Sequence, residues 1–419
     1  MTTRPGAISR RQLLAGTSLA TVALVSASDT GKAGAVTPNS VVGTTEPFYG
    51  AHQGGITTPE QARLAFASFD VTSTDRTALA ELLGTWTRAA EQMTSGRDVA
   101  GPSDSFAPPA DTGEALDLPA SRLTLTVGYG PSLFDGRFGL ASRRPAPLVD
   151  LPAFPGDALD PARSGGDLCI QACADDAQVA FHAIHNLTRL GLGCVTLRYL
   201  QLGFGRTASV GRSSATPRNL LGFKDGTDNL APSDAGAMNN AVWVGNSADQ
   251  PWMEGGTYMV ARRIRVHLEA WDRSTLGDQE RTIGRAKTSG APLGSAHERD
   301  PVDLAALDGF GSPFIPSSAH IRVAAPSSNH GAALLRRGYS FADGVDPTTG
   351  ELDAGLFFIC FQRDPSEQFV RIQRRLASQD SLTTYLVHTG SGLFACPRGP
   401  GNRRPWGYGL LGAANTDSG

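Results

Sequence analysis

The sequence predicts an α+β fold in which two ferredoxin-like domains pack together, each an antiparallel sheet with helices on one face. Two observations carry this. Residues 62–205 switch between period-2 and helical apolar patterns in the order strand, helix, strand, strand, helix, strand, the split βαβ arrangement. Residues 256–378 repeat the plan less clearly. The expected organisation is a leader and linker over 1–45, a first domain over 46–220 and a second over 221–419.

The segment ARLAFASFDVT (62–72) reads as a strand around Leu64, Phe66 and Phe69. TDRTALAELLGTWTRAAEQMTSG (74–96) has apolar residues at helical spacing, Thr-Asp at its start and Gly at its end. Residues 97–119, rich in Pro, Ala and Asp, read as an excursion. SRLTLTVGYG (121–130) and DLCIQACA (167–174) are strands, DDAQVAFHAIHNLTRLG (175–191) is a second capped helix, and VTLRYLQLGFG (195–205) is the closing strand. In the second half, GTYMVARRIRVHLEAWDRS (256–274) reads as a strand running into a helix. HIRVAAP (320–326) and GLFFICFQRD (355–364) read as strands, and SEQFVRIQRRLAS (366–378) as a helix.

The 419 residues are 40% hydrophobic and 18% charged, with a formal net charge of -3. That is a globular composition long enough for two domains. The near-neutral balance argues against a nucleic-acid partner, which favours a basic stripe. The chain opens on ISRRQLLAGTSLATVALVSASDTGKAGAV (8–36), where Arg10-Arg11 precedes a short apolar core and small residues. This is the pattern of a signal peptide read by the twin-arginine export machinery, so a secreted, periplasmic or cell-envelope location is expected. That route carries folded proteins, which suits a cofactor loaded in the cytoplasm. Beyond the leader no apolar run approaches the ~20 residues of a membrane-spanning helix, and no stable span is expected in the mature protein. A homo-oligomer is left open.

Five cysteines stand at Cys169, Cys173, Cys194, Cys360 and Cys396. The number is odd, and a disulfide between Cys169 and Cys173, the one close pair, is left open. Their apolar flanks favour buried thiols. With no Cys-x-x-Cys-His motif, any haem is expected to be non-covalent.

Taken alone, GFKDGTDN (222–229) is a solvated turn. Among the eight histidines, His182 and His185 lie three apart on a helix but lack a third ligand at zinc-like spacing. His320 opens an alternating segment with Arg322 on the same face, and LLRRGYSF (334–341) sets two arginines in an apolar stretch. Asp225, His320 and Arg336 together meet the needs of a haem-iron peroxidase. These are an axial imidazole, a base that takes a proton from hydrogen peroxide and returns it to the departing oxygen, and a fixed cation beside that oxygen. A carboxylate, with an ordinary value of about 3.9, serves as such a base at low pH.

These residues resemble those of the dye-decolorizing peroxidases, in particular the exported deferrochelatase/peroxidase-like subgroup. GFKDGT matches the family's Gly-x-x-Asp-Gly signature, HIR its proximal-histidine segment and LLRRGYSF its distal-arginine segment. HQGGI, FASFDV, LTVGYGPSLFD, CADDAQVAFHAIHNL, SGAPLG and GLFFICFQRD agree more weakly, extending the resemblance over residues 46–395. It implies one non-covalent haem b per chain, held in the C-terminal half, with hydrogen peroxide as oxidant and dyes, phenolics or other aromatic one-electron donors as reductants. Asp225 is then the distal acid–base, Arg336 the distal cation and His320 the iron ligand, with Arg322 a partner for a haem propionate and Arg337 a surface charge. Gly226, Thr227 and Asp228 bring backbone close to the porphyrin, and Leu356 and Phe358 line the distal side. Asp364 is the candidate to orient His320.

The resemblance also places Ala325, Pro326 and Ser327 at the cofactor. Relatives often carry Asn-Pro-Arg there, so a propionate contact from that arginine is missing. Bulky donors require electrons to reach the haem from aromatics nearer the surface, and the candidates are Trp243, Trp252, Trp271, Tyr258, Tyr339 and Tyr385. The rival reading is a haem-handling protein that releases iron from haem, with incidental peroxidase activity. Chlorite dismutation, on a related scaffold, lacks the Gly-x-x-Asp-Gly acid.

Overall fold

The computed structural model describes residues 44–101, 105–205, 216–401 and 404–412. The paired-arginine leader lies outside the described residues. The first half runs β1 (Arg63–Val71), α1 (Arg76–Thr94), β2 (Thr124–Tyr129), β3 (Leu168–Ala174), α2 (Ala177–Leu190) and β4 (Val195–Phe204). Both helices start where an aspartate side chain takes an orphan amide. Asp75 accepts from Thr77 N at 2.8 Å, and Asp176 accepts from Gln178 N and Val179 N at 2.7 and 3.1 Å. Each such cap stabilises its helix by about 1 kcal/mol.

The second half contains α3 (Ala235–Ala241), β5 (Thr257–Val266), α4 (Leu268–Asp272), α5 (Leu276–Ile283) and α6 (His320–Ala324). After these come β6 (Leu335–Arg336), β7 (Tyr339–Val345), β8 (Leu352–Gln362), α7 (Phe369–Gln379), β9 (Leu386–Cys396) and α8 (Tyr408–Leu411). Antiparallel strands and helices make the fold α+β.

The first four strands lie in the order β2-β3-β1-β4, with Phe66 opposite Gln171 and Val127 opposite Ile170. The later strands lie in the order β9-β5-β8-β7, with β6 also on β8. Two seams join them: Tyr129 pairs with Ala395, and Phe204 with Ser340. The pairings therefore close into a ring, β2-β3-β1-β4-β7-β8-β5-β9 and back to β2, which leaves few bare strand edges.

Both faces of β1 are buried, as its nearly continuous apolar sequence requires. Ala65, Ala67 and Phe69 pack under α1 and α2, where Trp86 Nε1 donates to Leu187 O at 2.7 Å. Leu64 and Phe66 face the other way, and the Phe66 ring meets those of Phe357 and Phe394 at 5.0 and 6.1 Å.

Two readings are corrected or resolved by the structure. HIRVAAP is not a strand; residues 320–324 form a short helix in which Ala319 O accepts from Arg322 N and Val323 N at 3.0 Å. Alternation over five residues between Pro316 and Pro326 does not separate a strand from one helical turn. Cys169 and Cys173 are both free thiols. Four residues apart on extended β3, they are separated by roughly 13 Å, beyond disulfide reach.

Candidate active site

A cavity is lined mainly by residues of the second half of the chain. Its walls include Ile264 and Val266 of β5, Leu356 and Phe358 of β8, Leu386 and His388 of β9, Ile372 and Gln373 of α7, and His320 of α6. The rest is largely the loop ahead of α3, which contributes Asp225, Gly226, Thr227, Asp228 and Asn229.

That loop is tightly determined by its own sequence. Asn219 Oδ1 accepts from Leu221 N and Phe223 N at 3.1 and 3.3 Å, and Asp225 N donates to Pro217 O at 2.8 Å. Gly222 and Gly226 have φ of +83° and +108°, a region that favours glycine. Asn229 pairs with the Arg336 backbone as a neighbouring strand would: its Nδ2 donates to Arg336 O at 2.7 Å and its Oδ1 accepts from Arg336 N at 2.9 Å. Asp225 Oδ1 thereby stands 3.6 Å from the Arg336 guanidinium, facing it without a closed hydrogen bond.

Glu298 clasps the loop on both sides of Asp225. It accepts from Lys224 Nζ, from Thr216 Oγ1 and, at 3.1 Å, from Thr227 Oγ1. Burial opposes its ionisation, but these donors and the lysine charge prevail and hold the carboxyl down at about 2. Asp228 is paired with buried Arg285 at 2.6 Å.

His320 presents its imidazole to the cavity with Nδ1 committed to Asp380 Oδ2 at 2.6 Å. The other oxygen of Asp380, itself 3% exposed, accepts from Leu382 N at 2.8 Å. Burial works to lower the His320 pKa, but the Asp380 charge and hydrogen bond outweigh it and the net shift is upward. With Nδ1 held, Nε2 remains for a ligand bond. On another wall, Arg262 is buried against Asp157 and reaches His388 Nδ1 at 3.3 Å. Burial first, then the Arg262 charge, push His388 down to about 3, keeping it neutral.

Several expectations are placed differently. Asp225, Gly226, Thr227, Asp228, His320, Arg336, Leu356 and Phe358 share the cavity. Arg322 does not line it; its guanidinium binds Ile315 O and Leu304 O, both at 2.7 Å. Ala325, Pro326 and Ser327 form the turn after α6, also away from the cavity lining. Asp364 instead caps the next turn, accepting from Ser366 N at 2.9 Å, and the carboxylate bonded to His320 is that of Asp380. Arg337 is no surface charge: it is buried and donates to Thr58 O and Gln61 Oε1.

Trp243, Trp252, Trp271, Tyr258 and Tyr339 are buried, and Tyr385 is half-buried. Trp271 packs edge-on against Tyr385 at 5.0 Å and Phe223 at 6.0 Å, and its Nε1 donates to Leu221 O at 3.1 Å. Phe223 and Leu221 line the cavity.

The residues present fit a haem. The walls between the polar groups are aliphatic and aromatic, and of the two imidazoles there His320 offers Nε2 as a single axial ligand, while His388 faces Arg262 at Nδ1 and Gln373 at Nε2. Among the described residues, no three His, Cys, Asp or Glu side chains converge to hold a bare ion. A single imidazole ligand from His320 would suit an iron already carried by four porphyrin nitrogens.

Residues 53–205 match the family model for Dyp-type peroxidase, N-terminal, and residues 216–400 that for Dyp-type peroxidase, C-terminal. The chain is 39% identical over 399 residues to the deferrochelatase of Yersinia pseudotuberculosis, covering 92% of this chain and 91% of that protein. It is 38% identical over 354 residues to the Escherichia coli K12 deferrochelatase, covering 83% of each. Among solved structures, ferric DtpA from Streptomyces lividans superposes with a TM-score of 0.84 at 40% identity, covering 90% of this chain and 100% of that one. A DyP-type peroxidase from Cellulomonas bogoriensis gives 0.81 at 38% identity, covering 89% and 99%.

Proposed function

The chain belongs to the Dyp-type peroxidase family and is a haem peroxidase; from that premise we propose that Asp225, Arg336 and His320 are its working residues. The observation that carries this reading is their convergence on one cavity, with the Asp225–Arg336 pair 3.6 Å apart and His320 tethered to Asp380. Haem b, bound non-covalently and once per chain in the C-terminal half, would supply the redox chemistry that takes two oxidising equivalents from hydrogen peroxide. His320 Nε2 would hold that iron, and Asp380 orients the imidazole. Asp225 takes the proton from the near oxygen of hydrogen peroxide and delivers it to the far one. Arg336 stabilises the charge that develops on that leaving oxygen. Leu356 and Phe358 keep bulk water from competing.

The family's dyes are too bulky for a buried pocket, so their electrons enter from the protein surface. The Tyr385–Trp271 contact, continued by Phe223 to the cavity wall, supports that pair as the entry among the six candidates. The two halves are read as ferredoxin-like domains, over 46–220 and 221–419; the strand orders β2-β3-β1-β4 and β9-β5-β8-β7 support this. Export by the twin-arginine machinery is supported by the Arg10-Arg11 leader. No helix among the described residues is long and apolar enough to cross a membrane.

A second reading, release of iron from haem, is favoured by the deferrochelatase relatives. The visible spectrum of the haem-loaded protein after one equivalent of hydrogen peroxide tests the first reading. Rapid conversion supports it; slow bleaching, with iron appearing in solution, moves the function to the second.

A further inference from the structure

Glu60 belongs to none of the roles assigned above. It comes from the segment ahead of β1, in the opposite half of the chain from Asp225, yet it lines the same cavity as Asp225, Arg336 and His320. Its neighbours fix it there. Buried Arg337 donates to Thr58 O and to Gln61 Oε1, and Gln61 Nε2 donates to Arg122 O and Thr124 Oγ1 at 2.8 and 3.0 Å. Between these anchors the Glu60 carboxylate accepts no hydrogen bond from any described residue and is only half-buried. Gly205 N donates to Ala62 O at 2.9 Å, bringing the end of β4 alongside. Phe204 and Gly205, at the end of β4, also line the cavity and are solvent-exposed.

The charged groups facing Glu60 are Arg337 and Arg336 from the β6 segment and Asp225 from the loop, with Tyr339 stacked behind Arg337 at 6.0 Å. Burial raises the Glu60 carboxyl above the usual carboxylate range; Arg337 opposes this, Asp225 adds to it and Arg336 opposes it. A carboxyl shifted in this direction exchanges protons closer to neutrality than an ordinary glutamate.

Proton balance gives such a group work to do. Reduction of one hydrogen peroxide consumes two electrons and two protons and yields two waters. Cleavage of the O–O bond needs no outside proton, because the one Asp225 removes is returned to the leaving oxygen. The two protons belong to the two one-electron reductions, and with a donor that carries none they come from solvent. We propose that Glu60 is the proton-entry residue of this cavity, taking each proton from solvent and passing it to Asp225 during those reductions. The proposal rests on the assignment of Asp225 above, and Glu60 acts through that residue rather than on the oxygen itself.

The test uses the haem-loaded protein as Glu60→Gln and Glu60→Asp, with ferrocyanide as a donor that carries no proton. Stopped-flow absorption separates the peroxide step from the reductions. In Glu60→Gln the peroxide step should stay near wild type while ferrocyanide reduction slows about 10²-fold, with a larger solvent deuterium effect and the loss of one limb of its pH profile. Glu60→Asp should recover part of the rate. Infrared titration should show a protonated-carboxyl stretch persisting above the ordinary carboxylate range and missing in Glu60→Gln. Unchanged reduction rates and deuterium effect overturn the proposal. Equal slowing of both steps, with a lower melting temperature, overturns it in favour of a structural role. A wild-type protein that does not react with peroxide removes the underlying assignment instead, which is a separate and recognisable result.

Discussion

Asp380 Oδ2 lies 2.6 Å from His320 Nδ1, and a backbone amide holds its other oxygen. A carboxylate in this position fixes the tautomer and makes the ring a stronger donor to iron. Asp380→Asn should keep the fold and lose about 10–100-fold in haem affinity or peroxide reactivity. Haem transfer to an apo-acceptor protein and stopped-flow absorption measure the two.

Glu298 predicts a pH dependence with a definite sign. Its carboxyl is depressed from 4.5 to about 2, so its contribution is complete above about 4.5 and lost as pH falls toward 2. Glu298→Gln should therefore lower stability at neutral pH by about 1–2 kcal/mol after solvent screening. Thermal melting of wild type and variant should converge only near pH 2. The clasp thus stays closed across the acidic range in which a carboxylate base works.

Asn229 holds Arg336 through two backbone hydrogen bonds, 2.7 and 2.9 Å. Asn229→Ala should leave a strand end unpaired at a cost of about 1–3 kcal/mol. The peroxide step should slow more than haem binding weakens, because the Asp225–Arg336 spacing depends on this link. Kinetic and binding measurements on the same sample separate the two.

Tyr385→Phe removes the phenol from the Trp271 contact while keeping its ring. Turnover of a bulky dye should fall several-fold with the peroxide step unchanged. Equal rates for both would place the electron path elsewhere.

Much of this was legible from residues read locally. The caps Asp75 and Asp176, the short apolar runs of β1 and β3, and the two glycines around Asp225 each declare themselves within a few positions. Asp225, His320 and Arg336, which share the cavity, were singled out because the order and type of their segments match a family. The supports were not. Asp380 is 60 positions from His320, Glu298 is 74 from Lys224, and Asn229 is 107 from Arg336. Only the chain's return path joins them, and a surface glutamate or helix-terminal aspartate carries no local mark of such a partner. Arg322 shows the converse: its spacing from His320 suggested a shared strand face, but a helical turn aims it at the carbonyls of Ile315 and Leu304.

The most direct measurement compares the haem-loaded wild type with Asp225→Asn by stopped-flow absorption, each mixed with one equivalent of hydrogen peroxide at acidic pH. The proton transfer assigned to Asp225 predicts a rapid spectral change in the wild type and a loss of about 10²–10⁴-fold in the variant, with haem still bound. An Asp225→Asn protein that reacts at the wild-type rate would contradict it.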